Sequence, residues 1–243
     1  MRTIFFLLWG VMLPITAFAE TNPAVAALME YLHQAEQHRS PAHISYRFET
    51  NIEALGDTKH SVLQFEHVQT TEDAYFLVQS APPTKILLNS QSLCTQEDGA
   101  WMCHTVAKDQ FTKNLQTENM SLFPPTAMSL LEQLITRHPD AVTVSGVGAQ
   151  TIANRTCDAF RLAIDSAKIG AKQLQRYLYL ALNNDYLRPY ITGTTVDVCF
   201  DREHGHVLSY ANTLVLDQRR MPKLLTSQPT GVIRGGFVAE RIQ

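Results

Sequence analysis

The sequence predicts an α+β fold in which a curved antiparallel sheet carries helices on its concave face. Segments that alternate apolar and polar residues greatly outnumber helical segments, and short turns connect them. The chain has 243 residues, of which 45% are hydrophobic and 18% are charged, and this composition suits one globular domain. A sheet of roughly eight to eleven strands must curl, and its concave face then needs cover.

The first residues have the layout of a secretory signal peptide. Met1-Arg2 provides a positive end, residues 4–15 form an apolar run, and Ala17-Phe18-Ala19 matches a small-x-small cleavage site. The apolar run is too short to span a bilayer, although a buried N-terminal helix is an alternative interpretation. We therefore predict a signal peptide at 1–19 and one β-rich ligand-binding domain at 20–243. This signal predicts export to an oxidising compartment, and a Gram-negative periplasm matches it best.

Four cysteines remain after this signal, and an even number in an exported protein favours disulfides. Asp98-Gly99 predicts a two-residue type I′ turn, which places Cys94 and Cys103 opposite each other as a non-hydrogen-bonded pair. Such pairs have Cα atoms about 4.5 Å apart, a distance that a disulfide accepts. We predict a Cys94–Cys103 bridge, which leaves Cys157 to pair with Cys199. The alternative, a metal site, lacks clustered Cys/His spacing.

A helix and a meander are predicted in the first half of the chain. Residues 23–38 place apolar side chains at helical spacing, and residues 44–53 alternate as a long half-buried strand. Further strands are predicted at 61–69, 74–80 and 85–88, before the cysteine hairpin.

Two helices and more hairpins are predicted in the second half. Residues 124–137 have Pro in the first turn and Pro139 after the end, and residues 167–182 also fit a helix, with a strand from Tyr177 as the alternative. These two helices are the predicted cover. The predicted strands are 142–152, 155–165, 194–201, 207–216 and 232–240.

Apolar residues that share a strand face, together with two from the helix at 124–137, are the candidate lining of a ligand cavity. A packed core uses the same residue types, so the face is either a cavity or a core. The candidates are Ile44, Tyr46, Phe48, Ile52, Leu63, Phe65, Tyr75, Leu77, Leu131 and Leu134.

The spacing of polar residues predicts no catalytic residue, no metal and no cofactor. His204-Gly205-His206 has no identifiable third ligand, and a hairpin turn that uses Gly205 for a positive φ accounts for it better. Neither a GxSxG nor an HExxH motif is present. The net charge of −3 provides no basic field for nucleic acid.

Charge is nevertheless distributed unevenly. Residues 20–153 carry seven Lys/Arg and fifteen Asp/Glu, whereas residues 154–243 carry twelve and eight. Lys168, Lys172 and Arg176 would share the polar face of the helix predicted at 167–182. That face is either simply solvated or a contact for a membrane surface or a protein partner.

Several of these features together resemble the periplasmic lipoprotein carriers (LolA-like) and their relatives, which include lipoprotein-binding proteins and the sensor domain of a sigma-factor regulator. They are the signal, the opening helix, the long strand at 44–53, the meander and the acidic-x-x-x-Gly element from Asp201 to Gly205. The resemblance implies an unclosed β-barrel with a helical lid over an apolar cavity that receives acyl chains. The two predicted disulfides and the insert at 167–182 depart from the carriers.

We therefore predict a soluble exported carrier protein that binds and transports a hydrophobic ligand, such as a lipid or an acylated protein, and is not an integral membrane protein. The alternative is a periplasmic protein-interaction or envelope-stress sensing module in which the same face is a packed core. A hydrolase without a recognisable motif is the third possibility.

Overall fold

A computed structural model describes residues 22–37, 41–54, 57–69, 74–79, 85–88, 92–97, 99–105, 124–169, 188–221 and 230–243 of the chain. These residues form two α-helices, α1 (Pro23–Gln37) and α2 (Pro124–Arg137), and eleven β-strands. The strands are β1 (Ala42–Ala54), β2 (Asp57–Gln69), β3 (Ala74–Gln79), β4 (Lys85–Leu88), β5 (Ser92–Glu97), β6 (Ala100–Thr105), β7 (Val142–Ile152), β8 (Arg155–Ile164), β9 (Ile191–Asp201), β10 (Val207–Asp217) and β11 (Thr230–Ile242).

All eleven strands belong to one antiparallel sheet with the order β6-β5-β4-β3-β2-β1-β11-β10-β9-β8-β7. The sheet consists of two meanders, β1–β6 and β7–β11, which are joined by the pairing of β1 with β11. Its two edge strands, β6 and β7, are not hydrogen-bonded to each other, so the described sheet remains open. The predicted fold class is confirmed.

Alternation along the strands gives the sheet two unlike faces. We call the face that carries Tyr46, Phe65, Tyr210 and Phe237 the covered face, because the helices lie over it, and the opposite face the uncovered face. Buried leucines of α1 and α2 belong to the same hydrophobic core as the covered face, and they are Leu28, Leu32, Leu130, Leu131 and Leu134.

Helix α1 is attached to the sheet at its N-terminus and through Tyr31. Asn22 caps it by accepting a hydrogen bond from the Ala24 N–H (3.0 Å), and the Asn22 amide donates to the carbonyl of Val144 in β7 (3.1 Å). The ring of Tyr31 stacks on Phe200, with centroids 5.2 Å apart. The helix is therefore held over strands β7 to β9.

The sheet is strongly curved between β7 and β11. Three strands separate these two, and in a flat sheet they would lie about 19 Å apart, yet they contact each other. β-Bulges at Gly146/Gly148 and Val207/Ser209 interrupt the register and increase the local twist. At Gly236 a Cβ atom would lie 2.1 Å from the carbonyl oxygen of Tyr210, so only glycine fits this close approach of β10 and β11.

Both predicted disulfides are confirmed. Cys94 and Cys103 face each other across the β5–β6 hairpin with Cα atoms 4.0 Å apart. Cys157 and Cys199 join β8 to β9 on the uncovered face, where their Cα atoms lie 5.6 Å apart.

The boundaries of the predicted elements agree with the structure to within a few residues, and the differences concern the cover. Helix α2 has the predicted bounds, and α1 adds cover that was not assigned to it. Of the helix predicted at 167–182, residues 167–169 form a turn, and the rest falls outside the described residues, as does the predicted signal at 1–19. In the part of the chain that the structure describes, no helix has the length and apolar character to cross a membrane.

Candidate functional site

Most of the predicted cavity residues come together on the covered face. Ile44, Tyr46, Phe65, Leu131 and Leu134 are buried in its core. Three more candidates are half-buried and pack against the border of that core, and these are Phe48, Ile52 and Leu63. Eight of the ten candidates therefore lie in or beside the one apolar core between the sheet and the helices.

The other two candidates are Tyr75 and Leu77 of β3. The register pairs Tyr75 with Val68 and Leu77 with Glu66. The side chains of these two residues lie outside the description, so their place in a cavity lining stays a prediction.

Aromatic rings fill the centre of the covered face. Tyr46 stacks on Phe65 with centroids 5.1 Å apart and meets the edge of Phe237 at 5.2 Å. Tyr210 stacks on the other side of Phe237 at 5.6 Å. The Tyr46 hydroxyl donates to the carbonyl of Val207 (2.6 Å), and burial raises the pKa of this phenol. These four rings therefore form a closely packed apolar cluster at the centre of the covered face.

Two buried polar side chains interrupt this apolar surface. Asn212 is 0% exposed, and its Oδ1 and Nδ2 atoms have no hydrogen-bond partner among the described residues; the same is true of the hydroxyl of buried Thr194. Asn212 lies beside Gly235 of β11, and Thr194 lies beside Leu214. Each buried polar group without a partner costs about 1–3 kcal/mol. An asparagine at an inward position of β10 was the available sequence signal for this feature.

Histidines gather near the β9–β10 turn. His67 is buried, and its pKa is lowered to about 3, first by desolvation and second by nearby His206. Burial also lowers the pKa of His206, whose ring lies parallel to that of His204 at 5.9 Å. Gly205 has φ +71°, as the predicted turn requires. Among the described residues, no group of three or more His, Cys, Asp or Glu side chains could hold a metal ion.

A polar groove of about 410 Å³ crosses the uncovered face from β1 to β7. Its floor is low because the outward positions of neighbouring strands carry small residues, namely Ala159, Ser209, Ala211 and Gly236. The curvature of the sheet brings Val147 and Ile152 of β7 to one side of this floor. The groove was not predicted, since its floor depends on the register of several strands.

Three arginines from three strands line the groove. Arg161 forms a two-pronged ion pair with Asp197, at 2.6 and 3.2 Å. Arg47 lies 3.0 Å from Glu49 and 3.5 Å from Glu240. Arg234 is exposed and forms no ion pair with any described residue. One guanidinium in the groove is therefore available to an anionic group.

No protein-family model matches the chain, and no curated protein matches it in sequence. Solved structures similar to it include the Mycobacterium tuberculosis lipoprotein LppX, with 11% identity over 90% of this chain and 94% of that chain and a TM-score of 0.45. A chain of the Pseudomonas aeruginosa MucA/MucB complex shows 11% identity over 89% of this chain and 56% of that chain, with a TM-score of 0.43. A LolA superfamily protein from Nitrosomonas europaea shows 7% identity over 87% and 92%, with a TM-score of 0.26.

The open sheet with helices over one face agrees with the fold that the sequence resemblance implied.

Proposed function

We propose that the protein is a soluble exported binding protein that carries a hydrophobic ligand, a lipid or the acyl chain of an acylated protein, on its covered face. The observation that carries this proposal is the continuous apolar surface of the covered face. It extends over buried residues from β2 to β7 and is enclosed by α1 and α2. An acyl chain placed there would gain about 0.8 kcal/mol for each buried methylene group.

The unpartnered polar atoms beneath the helices support the same proposal. Asn212 can both donate and accept hydrogen bonds, and Thr194 can do the same through its hydroxyl. An ester or amide group of a bound lipid would satisfy these atoms and recover the energy that their burial costs.

Helix α1 is the element that would move to admit the ligand. Its polar attachment is at the protein surface, where Tyr31 donates to Asp158 (2.6 Å) and Arg202 donates to the same carboxylate (2.5 and 3.2 Å). Its contact with α2 includes a pair between His33 and Glu132 at 3.2 Å. These polar contacts are weak individually, and most of the attachment of α1 comes from the buried side chains of Leu28 and Leu32. The helix would therefore move only when a bound ligand replaces those apolar contacts.

Export of the mature domain is part of the proposal. Two disulfides join the described strands, and disulfides persist mainly in oxidising compartments. Together with the predicted signal at 1–19, this supports a periplasmic location for residues 20–243.

A protein-interaction or envelope-stress sensing module is the second candidate. The close stacking of Tyr46, Phe65 and Phe237 favours it, because a fully packed core leaves the covered face with no ligand to hold.

Ligand analysis of the exported protein separates the two functions. Native mass spectrometry of protein purified from an exporting host should show a copurified lipid, and the delipidated protein should take up a fluorescent fatty acid. Leu63→Trp, at the half-buried border of the covered face, should block uptake with little loss of stability. Ile44→Trp, in the packed centre, should cost about 1–3 kcal/mol.

Val62→Trp is the matched control for Leu63→Trp, since the adjacent side chain points to the uncovered face and is 50% exposed. It should leave uptake unchanged. If the parent protein contains no lipid and takes up no probe, the carrier function is wrong and the interaction module is the better explanation.

A further inference from the structure

We propose that the groove on the uncovered face is a second binding site, which accepts a short extended peptide segment that carries an acidic side chain next to an apolar one. The groove lies on the opposite side of the sheet from the covered face, so this site does not rest on the carrier function. Its volume of about 410 Å³ falls in the range of specific pockets, about 300–1,000 Å³.

The small residues of the floor allow a backbone to approach the sheet. Side chains at Ser209, Ala211 and Gly236 are short, and the close β10–β11 contact at Gly236 permits none larger. A peptide main chain could therefore lie between the longer side chains on either side of the floor.

The acidic side chain would be bound by Arg234. Its guanidinium is exposed and has no carboxylate partner among the described residues, whereas Arg161 and Arg47 are paired with Asp197 and Glu49. Guanidinium groups bind carboxylates through two parallel hydrogen bonds, which gives orientation as well as energy.

The apolar side chain would be bound at the wall formed by β7. Val147 is 51% exposed and Ile152 is half-buried in the groove, so both retain apolar surface that a ligand can cover. Strand β7 is also an edge of the sheet, and this wall is therefore not screened by a neighbouring strand.

The remaining polar residues favour a peptide over a phosphate or a lipid headgroup. The amide of Gln150 can both donate and accept, as peptide bonds require, whereas Oδ1 of Asn51 is hydrogen-bonded to His60, which leaves the Asn51 NH₂ group to donate. Glu49 and Asp197 would repel a multiply charged anion, while they leave a single carboxylate free to reach Arg234.

Peptide binding measured by fluorescence anisotropy tests the proposal. The probes are a dye-labelled peptide of sequence Gly-Leu-Ser-Asp-Leu-Ser-Gly and its Asp-to-Asn counterpart. The acidic peptide should bind the parent protein about tenfold more tightly than the neutral one, and Arg234→Glu should remove this preference. Val147→Ser should weaken both peptides by a few fold.

Arg241→Glu is the matched control, because Arg241 lies on the same strand and the same face but outside the groove. Arg241→Glu changes the net charge of the protein by the same amount as Arg234→Glu, and it should alter the affinity for the acidic peptide by less than about twofold. Vesicles of phosphatidylcholine and phosphatidylglycerol in equal parts should not compete with the peptide.

Three results would overturn the proposal. They are the absence of peptide binding by the parent protein, an equal loss of binding in Arg241→Glu, and displacement of the peptide by the vesicles. Because the readout does not involve fatty acid uptake, a failure here is distinguishable from a failure of the carrier function.

Discussion

The covered and uncovered faces are built from the same strands, but their side chains have different sizes and tasks. In β10, Tyr210 and Leu214 point beneath the helices, whereas the intervening Ala211 contributes to the floor of the groove. Large buried apolar side chains contribute about 1.5–3 kcal/mol each, whereas exposed ion pairs such as that of Arg161 contribute about 0–1 kcal/mol. Stability is therefore concentrated on one face, and the other face is free to present a hollow, charged surface.

The Cys157–Cys199 bridge is the main exception, because it should stabilise the fold from the uncovered face, where both cysteines are buried. The bridge closes a sequence separation of 42 residues, against 9 for Cys94–Cys103. Because a bridge lowers the entropy of the unfolded chain, we expect a stabilisation of about 4 kcal/mol from the longer loop and about 3 kcal/mol from the shorter one. Urea unfolding of the two double Cys→Ser variants measures both values. Equal losses would mean that closure of the unfolded chain does not determine the effect.

Gly236→Ala should cost about 3 kcal/mol, because the added methyl group would overlap the Tyr210 carbonyl oxygen and force β10 and β11 apart. Gly193→Ala is the matched control in β9, where the new Cβ would meet Val215 at an ordinary 3.6 Å. The control should unfold within about 1 kcal/mol of the parent in the same denaturant titration. A similar loss in both variants would contradict a special role for the floor of the groove.

The covered face should be sensitive to acid through His67. Its pKa is about 3 in the folded protein and 6.5 when unfolded, so protonation favours the unfolded state. Above pH 6.5 His67 is neutral in both states and its burial carries no penalty. As the pH falls from 6.5 toward 3, the unfolded state binds a proton that the folded state does not, and the folded state loses stability relative to it. We expect the free energy of unfolding to fall by about 2 kcal/mol between about pH 7 and pH 5.

Urea unfolding at several pH values measures this slope. His67→Leu should reduce this slope. Burial also lowers the pKa of His206, so a part of the slope in the same direction should survive in His67→Leu.

The smallest expected effect concerns the attachment of α1. Tyr31→Phe removes the hydrogen bond to Asp158 but retains the ring stacking, and it should cost about 1 kcal/mol. Desolvation and this hydrogen bond together raise the pKa of Tyr31 to about 12, whereas Arg202 holds the pKa of Asp158 below its usual value. If α1 is the moving cover, the variant should also take up the fluorescent fatty acid faster. An unchanged uptake rate at reduced stability would assign the bond to structure alone.

Local patterns accounted for much of the fold. The Asp98-Gly99 sequence predicts the pairing of Cys94 with Cys103 from within a dozen residues, and the alternation in β1 identifies Ile44 and Tyr46 as inward positions without any distant information. Both predictions rest on neighbouring residues, and both are confirmed.

Features that depend on how distant strands align were not accessible in this way. The register of β3 against β2 pairs Tyr75 with Val68 and Leu77 with Glu66, and alternation within β3 alone cannot give this register. The groove depends on Ser209, Ala211 and Gly236 becoming neighbours, and the role of α1 as a cover depends on where Tyr31 meets Phe200. In each of these cases the deciding contact joins residues from separate strands or elements.

The pairing of β1 with β11 determines the order in which the molecule can be assembled. Ile52 lies opposite Ile233, and Phe48 lies opposite Phe237, so the two meanders meet through contacts that span most of the chain. Each meander can form from nearby segments, but their union requires closure of a very long loop, which makes such folds slow to complete. Until then, the facing edges of β1 and β11 are unpaired. The chain must therefore be kept from aggregating until β11 has paired with β1.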